Sequence, residues 1–169
     1  MVIFLVGGVR SSKSTYAEEL LTQCNKKTYI ATMINNDSEN NQRIIIHKSR
    51  RDSSWNLLEI PYNLDMNTEI NDEYVLLDCL TNLLANELFV LNKKPLDAIY
   101  SIIKGISFIK SKTKKFVIVS NNIFEDGNEY FDETKMFLKT LGELHKQVVK
   151  LSDKVYEVEY GLRRKLKGW

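Results

Sequence analysis

The sequence predicts an α/β fold in which a mostly parallel sheet carries helices on both faces. Short apolar runs typical of buried strands alternate with segments of helical spacing along nearly the whole chain. The first of these runs leads through a small-residue turn directly into a helical pattern. Polar residues follow several predicted strands at their carboxyl ends, the edge at which parallel sheets bind their ligands.

Length and composition are those of a single compact domain spanning residues 1–169. The net charge of +2 favours neither a nucleic-acid partner nor a membrane surface. Cys24 and Cys79 lie in apolar contexts without metal-ligand spacing and are expected to be reduced core thiols. No signal peptide and no run of about eighteen apolar residues is present, so we expect a cytoplasmic protein without a membrane span.

The N-terminal turn carries the strongest motif. It is similar to the phosphate-binding pattern G-x-x-x-x-G-K-[ST], whose backbone N–H groups surround an anion. Lys13 is expected to reach the terminal phosphates, and the Ser14 hydroxyl to ligate Mg²⁺. Ser12 replaces the second glycine, at a cost of about 1–2 kcal/mol if that position needs positive φ. The motif predicts a P-loop nucleotide-binding fold, with an ordinary strand-turn-helix as the alternative, and its candidate nucleotide contacts are Gly7, Gly8, Val9, Arg10, Ser11, Ser12, Lys13 and Ser14.

The first half of the chain continues with alternating elements. A helix from Lys13 to Cys24 is indicated by apolar residues at helical spacing, and a second strand by the β-rich run Thr28–Thr32. Asn-rich composition predicts a loop over 35–41, followed by a helix over 42–51. A short strand over 55–60 ends before Pro61, and residues 62–70 are a helix or an irregular crossover.

The second half repeats the alternation. Strands are predicted over 74–79 and 115–120, and helices over 81–91, 95–109 and about 130–150, with a loop over 123–128. Pro95 suits a first helical turn. His145 falls inside the last helix, where we expect a structural histidine. The alternating run 154–160 predicts an edge strand, and the basic run Arg163–Lys167 a solvated tail.

Four polar or small residues fall at predicted strand ends: Gly7, Thr32, Asp78 and Asn121. Asp78 occupies the place of the second acidic motif of P-loop proteins, whose carboxylate holds or orders Mg²⁺. A strand-end cap is the alternative role for this aspartate.

Several segments together resemble a known family. These are GGVRSSKS, YIAT, the block from Arg43 to Glu59, VLLDCLTNLLANELF and VIVSNN. They are similar to the bifunctional adenosylcobinamide kinase/adenosylcobinamide-phosphate guanylyltransferase family of cobalamin biosynthesis, over nearly the whole chain. The most specific part is the block of the form R-I-x-x-H-K-x-x-R-x-x-x-W-x-x-x-E, because a P-loop alone fits many families.

The resemblance implies a mechanism and a set of site residues. The histidine corresponding to His47 attacks the α-phosphate of GTP and carries GMP to adenosylcobinamide phosphate; a preceding kinase step phosphorylates adenosylcobinamide from ATP or GTP. Homologous enzymes are usually trimers, so a homo-oligomer is implied. A helix histidine packing beside Ile44 is the alternative for His47. The nucleotide contacts implied beyond the loop are Ala31, Thr32, Met33, Lys48, Ser49, Arg50, Arg51, Glu59 and Asp78.

Some positions depart from the family pattern. Where the family has glycine, glutamate, Asp-Gly and glutamate, this chain has Ser12, Asp78, Ser49-Arg50 and Asn122, respectively. The segment 122–145 also differs from the family pattern. The elements lost from the segment 122–145 belong to the substrate side more than to the nucleotide side. Two alternatives to the bifunctional enzyme therefore remain at this stage: a P-loop small-molecule kinase of other specificity, and a degenerate, non-catalytic GTP-binding protein.

Overall fold

The computed structural model describes residues 1–34, 53–66, 70–123 and 131–168. Within these ranges, one sheet has the strand order β3-β2-β4-β5-β1-β6-β7. Strands β1 to β6 pair in parallel, and β7 is antiparallel to β6. This confirms the predicted α/β fold. The strands are β1 (Val2–Gly7), β2 (Lys27–Ala31), β3 (Trp55–Glu59), β4 (Tyr74–Asp78), β5 (Lys115–Asn121), β6 (Lys154–Glu159) and β7 (Leu162–Lys167).

Helices cover both faces of the sheet because successive residues of its central strands point to opposite sides. The helices are α1 (Lys13–Glu19), α2 (Leu80–Ala85), α3 (Pro95–Lys112) and α4 (Asp132–Leu151), with a 3₁₀ turn at Leu64–Met66 and a π-helical turn at Asn86–Val90. In β1, Ile3 and Leu5 pack with Ala17 of α1 in one apolar cluster. Phe4 packs in the other cluster, which contains the buried faces of α2, α3 and α4.

All four described helices have bounds that differ from the predicted ones: α3 ends at Lys112 instead of Ile109, and α4 spans Asp132–Leu151 instead of about 130–150. The differences are larger in the other two. The first ends at Glu19 instead of Cys24, because backbone bonds from Leu21 to Glu18 and from Thr22 to Glu19 tighten the chain into turns. The helix predicted over 81–91 begins at Leu80 and passes into the π-helical turn. The loop predicted over 35–41, the helix over 42–51 and most of the loop over 123–128 lie outside the described residues.

The C-terminal predictions were wrong in two respects. The basic run is not a solvated tail but strand β7, and β6 is not an edge strand, since it lies between β1 and β7. Tyr160 and Gly161 have φ of 51° and 77°, the positive values that a two-residue hairpin turn requires. All six side chains of β7 are exposed. The sequence of this strand therefore lacks the alternation of apolar and polar residues by which a half-buried strand is recognised.

Candidate functional site

The carboxyl ends of the parallel strands form one continuous edge that brings the predicted site residues together. Gly7 pairs in register with Asn121 of β5, and the Asn122 N–H donates to the Gly7 carbonyl over 2.8 Å. On the other side of β5, Ala31 is in register with both Asp78 and Glu59. The predicted strand-end residues therefore line one edge of the sheet.

The glycine-rich turn has the backbone that its sequence predicts. Ser12 has φ of 70°, so the second glycine position of the motif is left-handed here, at a cost of about 1–2 kcal/mol for serine. Gly7 cannot be replaced, because a Cβ there would lie 2.0 Å from the Val158 carbonyl oxygen. The Ser11 hydroxyl is buried and finds no hydrogen-bond partner within the described ranges. The turn thus combines a strained backbone at Ser12 with a buried hydroxyl at Ser11 that has no hydrogen-bond partner among the described residues.

Lys13 is the buried cation of this turn. Its side chain is folded inward, 7% of the residue is exposed, and its Nζ donates to the Gly8 carbonyl over 2.8 Å. Burial lowers the pKa of Lys13, whereas the charges of Asp78 and Glu159 oppose that shift. Phosphate oxygens at this point would supply further compensating negative charge and acceptors.

Asp78 is oriented by its neighbours in the sheet. The Tyr29 hydroxyl donates to Asp78 Oδ2 over 2.9 Å. The following residue is fixed by Thr32, whose hydroxyl donates to the Cys79 carbonyl and accepts the Cys79 N–H, both over 2.8 Å. Burial raises the pKa of Cys79 to about 12, so this thiol is protonated at neutral pH.

The donor set fits a magnesium ion that is bound largely through phosphates. Where residues are described, no group of three or more His, Cys, Asp or Glu side chains is placed to hold a metal. Mg²⁺ in nucleotide sites needs no such cage, since one carboxylate, one hydroxyl and phosphate oxygens suffice. Asp78 at the end of β4 is the candidate for that carboxylate, and Ser14 in the first turn of α1 is the candidate for that hydroxyl.

The remaining predicted contacts fall into two groups. Ala31 ends β2, and Thr32 and Met33 follow it at the same edge. Glu59 ends β3, four strand positions from β1, which corresponds to about 19 Å at the usual strand spacing. His47, Lys48, Ser49, Arg50 and Arg51 lie outside the described residues.

Sequence reasoning missed three residues that hold this edge. The Asn86 amide donates to the carbonyls of Thr32 and Pro61, both over 2.8 Å, and so joins the segments that follow β2 and β3. The Glu159 carboxylate accepts the Gly8 N–H over 2.6 Å. The Thr81 hydroxyl accepts the Asn121 N–H over 2.9 Å. None of these contacts has a local motif, because each joins residues that are distant in sequence.

His145 has the structural role that was expected. Its Nε2 lies 2.8 Å from the Ser120 hydroxyl, which in turn lies 2.9 Å from the Thr81 hydroxyl. The ring also packs edge-on against Phe4 with centroids 5.3 Å apart. Burial lowers the pKa of His145 to about 4, so the ring is neutral at physiological pH.

Within the described ranges, no helix is both long and apolar enough to cross a membrane.

Comparison with known proteins identifies relatives along the full chain. Residues 3–166 match the family model described as cobinamide kinase / cobinamide phosphate guanyltransferase. Two curated relatives are each described as bifunctional adenosylcobalamin biosynthesis protein CobU. The Escherichia coli (strain K12) protein is 29% identical over 184 residues, and the Salmonella typhimurium (strain LT2) protein 28% identical over 186. Each alignment covers 99% of this chain and 100% of the relative.

Solved structures share the fold at low identity. An ATPase from the type III secretion system of pathogenic bacteria aligns with a TM-score of 0.59 and 9% identity, over 97% of this chain and 56% of that one. The KaiC-like protein PH0186 from Pyrococcus horikoshii OT3 aligns with a TM-score of 0.51 and 9% identity, over 92% and 69%. This chain thus spans about half the length of the secretion ATPase, and both likenesses concern the fold alone.

Proposed function

The chain belongs to the cobinamide kinase and cobinamide phosphate guanyltransferase family, and from that premise we propose how its own residues serve the two reactions. It is a kinase and guanylyltransferase of adenosylcobalamin biosynthesis that uses nucleoside triphosphates as substrates. The observation that supports the assignment of roles is the left-handed turn at Ser12, followed by buried Lys13, whose ammonium group donates to the Gly8 carbonyl inside that turn.

In this proposal the turn from Gly7 to Ser14 binds the triphosphate. Lys13 releases the Gly8 carbonyl and binds phosphate oxygens, whose negative charge stabilises its protonated form. Asp78 and Ser14 would hold Mg²⁺, which would supply positive charge against the phosphates. Ala31, Thr32 and Met33 border the nucleotide on the side of β2.

His47 is the proposed nucleophile of guanylyl transfer. Its neutral imidazole nitrogen attacks the α-phosphorus of GTP, the bond to the β-phosphate oxygen breaks, and pyrophosphate leaves. A phosphate oxygen of adenosylcobinamide phosphate then attacks the same phosphorus, the P–N bond breaks, and adenosylcobinamide-GDP forms. Lys48, Arg50 and Arg51 neutralise developing charge, and Ser49 contacts the nucleotide beside them. Glu59 accepts the guanine N1–H and exocyclic amine.

The kinase reaction precedes this transfer. The hydroxyl of the aminopropanol arm of adenosylcobinamide attacks the terminal phosphate of ATP or GTP, and the nucleoside diphosphate leaves. Positioning and charge neutralisation supply most of the catalysis in such transfers. The groups proposed for it are the N-terminal turn, Lys13 and Asp78.

Labelling with GTP radioactive at the α-phosphate tests this function. We expect acid-labile, base-stable label on the protein, absent from His47→Ala and retained in His145→Asn, the variant of the chain's other histidine. GTP binding without protein label would contradict guanylyl transfer and favour a non-catalytic binding protein. Transfer of the γ-phosphate to a small molecule without protein label would favour a kinase of other specificity.

A homo-oligomer, and specifically a trimer, is proposed for the assembly. Exposed apolar side chains occur close together in sequence at the π-helical turn and the start of α3, where Phe89, Val90, Leu96 and Tyr100 are 48%, 50%, 78% and 71% exposed. Such concentrations of exposed apolar side chains often mark protein interfaces.

A further inference from the structure

The turn between β6 and β7 presents an aromatic side chain that the fold itself does not use. Tyr160 is 95% exposed and has φ of 51°. Two-residue hairpin turns of this kind prefer Asn, Asp or Gly at such a position, because a bulky side chain is disfavoured in the left-handed region. Neither turn geometry nor core packing therefore accounts for a tyrosine here.

The same turn is attached directly to the N-terminal glycine turn. The Gly161 N–H donates to the Ser11 carbonyl over 3.2 Å, and the Glu159 carboxylate accepts the Gly8 N–H over 2.6 Å. The Arg163 guanidinium, just beyond the turn, stacks on the Tyr16 ring of α1 at 3.9 Å and pairs with Glu19. The backbone of Tyr160 is thus held on both sides next to the candidate phosphate site.

The strand order decides which part of a nucleotide lies near this turn. Asp78 is on β4, on one side of β1, whereas the β6–β7 turn is on the other. The proposed function assigns the transferred terminal phosphate to the side of Asp78, the acidic residue that would hold Mg²⁺. A triphosphate in that orientation would direct its nucleoside away from Asp78, towards the β6–β7 turn. Glu59 lies beyond Asp78, at the far side of the sheet. A nucleotide whose base is bound by Glu59 therefore lies in the opposite orientation, with its nucleoside on the side of β3.

We propose that Tyr160 is the stacking platform for the nucleobase of the phosphoryl donor in the kinase reaction. This inference rests on the proposed function and deepens it: guanine at Glu59 serves guanylyl transfer, and a purine on Tyr160 serves phosphoryl transfer. An aromatic face stacks on any base without hydrogen-bond discrimination. The platform therefore accepts ATP and GTP alike as donors.

The test measures ATP binding, since Glu59 is proposed to recognise guanine and not adenine. Tyr160→Asn removes the ring and places a residue in the turn that tolerates the left-handed conformation. We expect it to weaken ATP binding in calorimetry by about tenfold, the size of one base stack. Tyr160→Phe keeps the wild-type affinity. Leu166→Asn, which removes an exposed apolar side chain of β7 away from the turn, also keeps it.

Two further readouts separate base stacking from damage to the phosphate loop. Inorganic tripolyphosphate has no base, so its affinity is unchanged in Tyr160→Asn, and the extent of α-phosphate labelling by GTP is unchanged as well. Equal ATP affinity in Tyr160→Asn and wild type would overturn the inference while leaving the proposed function intact. Loss of tripolyphosphate binding together with ATP binding would also overturn it. A wild-type protein that binds no triphosphate would instead overturn the proposed function.

Discussion

Single residues of the N-terminal turn are arranged for a phosphate ligand at a cost in stability. Ser12 adopts a left-handed backbone, the Ser11 hydroxyl lacks a partner within the described chain, and Lys13 is buried next to a backbone carbonyl. Strain and unsatisfied groups of this kind gather at functional sites. The sequence motif left open whether this position needs positive φ, and the φ of 70° at Ser12 shows that it does.

Replacing Ser12 by glycine should stabilise the protein without ligand. Glycine removes the left-handed penalty but adds entropy to the unfolded chain, so we expect a net gain of about 0.5–1 kcal/mol in urea unfolding. Thr15→Gly in the first turn of α1 is the control and should lose about 0.3 kcal/mol. Equal losses in the two variants would show that the turn is not left-handed in solution.

The buried histidine predicts a pH dependence of stability. The pKa of His145 is about 4 in the folded protein and 6.5 in the unfolded chain, so between these values only the unfolded chain binds the proton. The stability contributed by the neutral ring is complete above pH 6.5 and is lost as pH falls, by up to about 3 kcal/mol. Urea unfolding between pH 7.5 and 5 should show about 2 kcal/mol of this loss in wild type and none of it in His145→Gln. Parallel pH profiles for the two proteins would be inconsistent with a buried neutral ring.

At the scale of elements, the unexpected feature is the attachment of the C-terminal hairpin to the N-terminal turn. The apolar runs that form β1, β2, β4 and β5 were predictable because burial on both faces leaves a hydrophobic signature. Strand β7 was not, since it presents only exposed and mostly basic side chains and is defined by backbone pairing with β6. Gly161 in the turn was the only local signal.

The contact between Glu159 and Gly8 should contribute to stability. Glu159→Ala leaves the Gly8 N–H without its charged acceptor, and we expect a loss of about 1.5 kcal/mol in urea unfolding, with partial recovery in Glu159→Gln. Glu157→Ala, on the same strand, breaks only the surface pair with Arg164 and should cost under about 1 kcal/mol. A Glu159→Ala protein as stable as wild type would show that the carboxylate does not hold the turn.

At the scale of the whole molecule, one sheet edge carries the phosphate turn, the acidic residue and Glu59 in a row. The order of strands along that edge could not be predicted from local patterns, because periodicity identifies strands and not their neighbours. The contacts of Asn86 and Glu159 depend on this order, and they were missed for that reason. The nucleophilic role of His47 came from a family motif and stays a proposal.

The mass of the protein in solution tests the proposed trimer. A trimer of 19.7 kDa chains should sediment at about 59 kDa. Leu96→Lys places a charge among the exposed apolar residues at the start of α3 and should shift the population towards the monomer. Sedimentation of the wild type as a monomer at all concentrations would contradict the proposed assembly.

The central claim is that this protein takes GMP from GTP and gives it to a corrinoid phosphate. A single-turnover chase tests it most directly: protein labelled with α-phosphate GTP is freed of nucleotide and then mixed with adenosylcobinamide phosphate. The account predicts that the label leaves the protein and appears in adenosylcobinamide-GDP. Label that stays on the protein, or that leaves only as free GMP at a rate independent of the corrinoid, would contradict it.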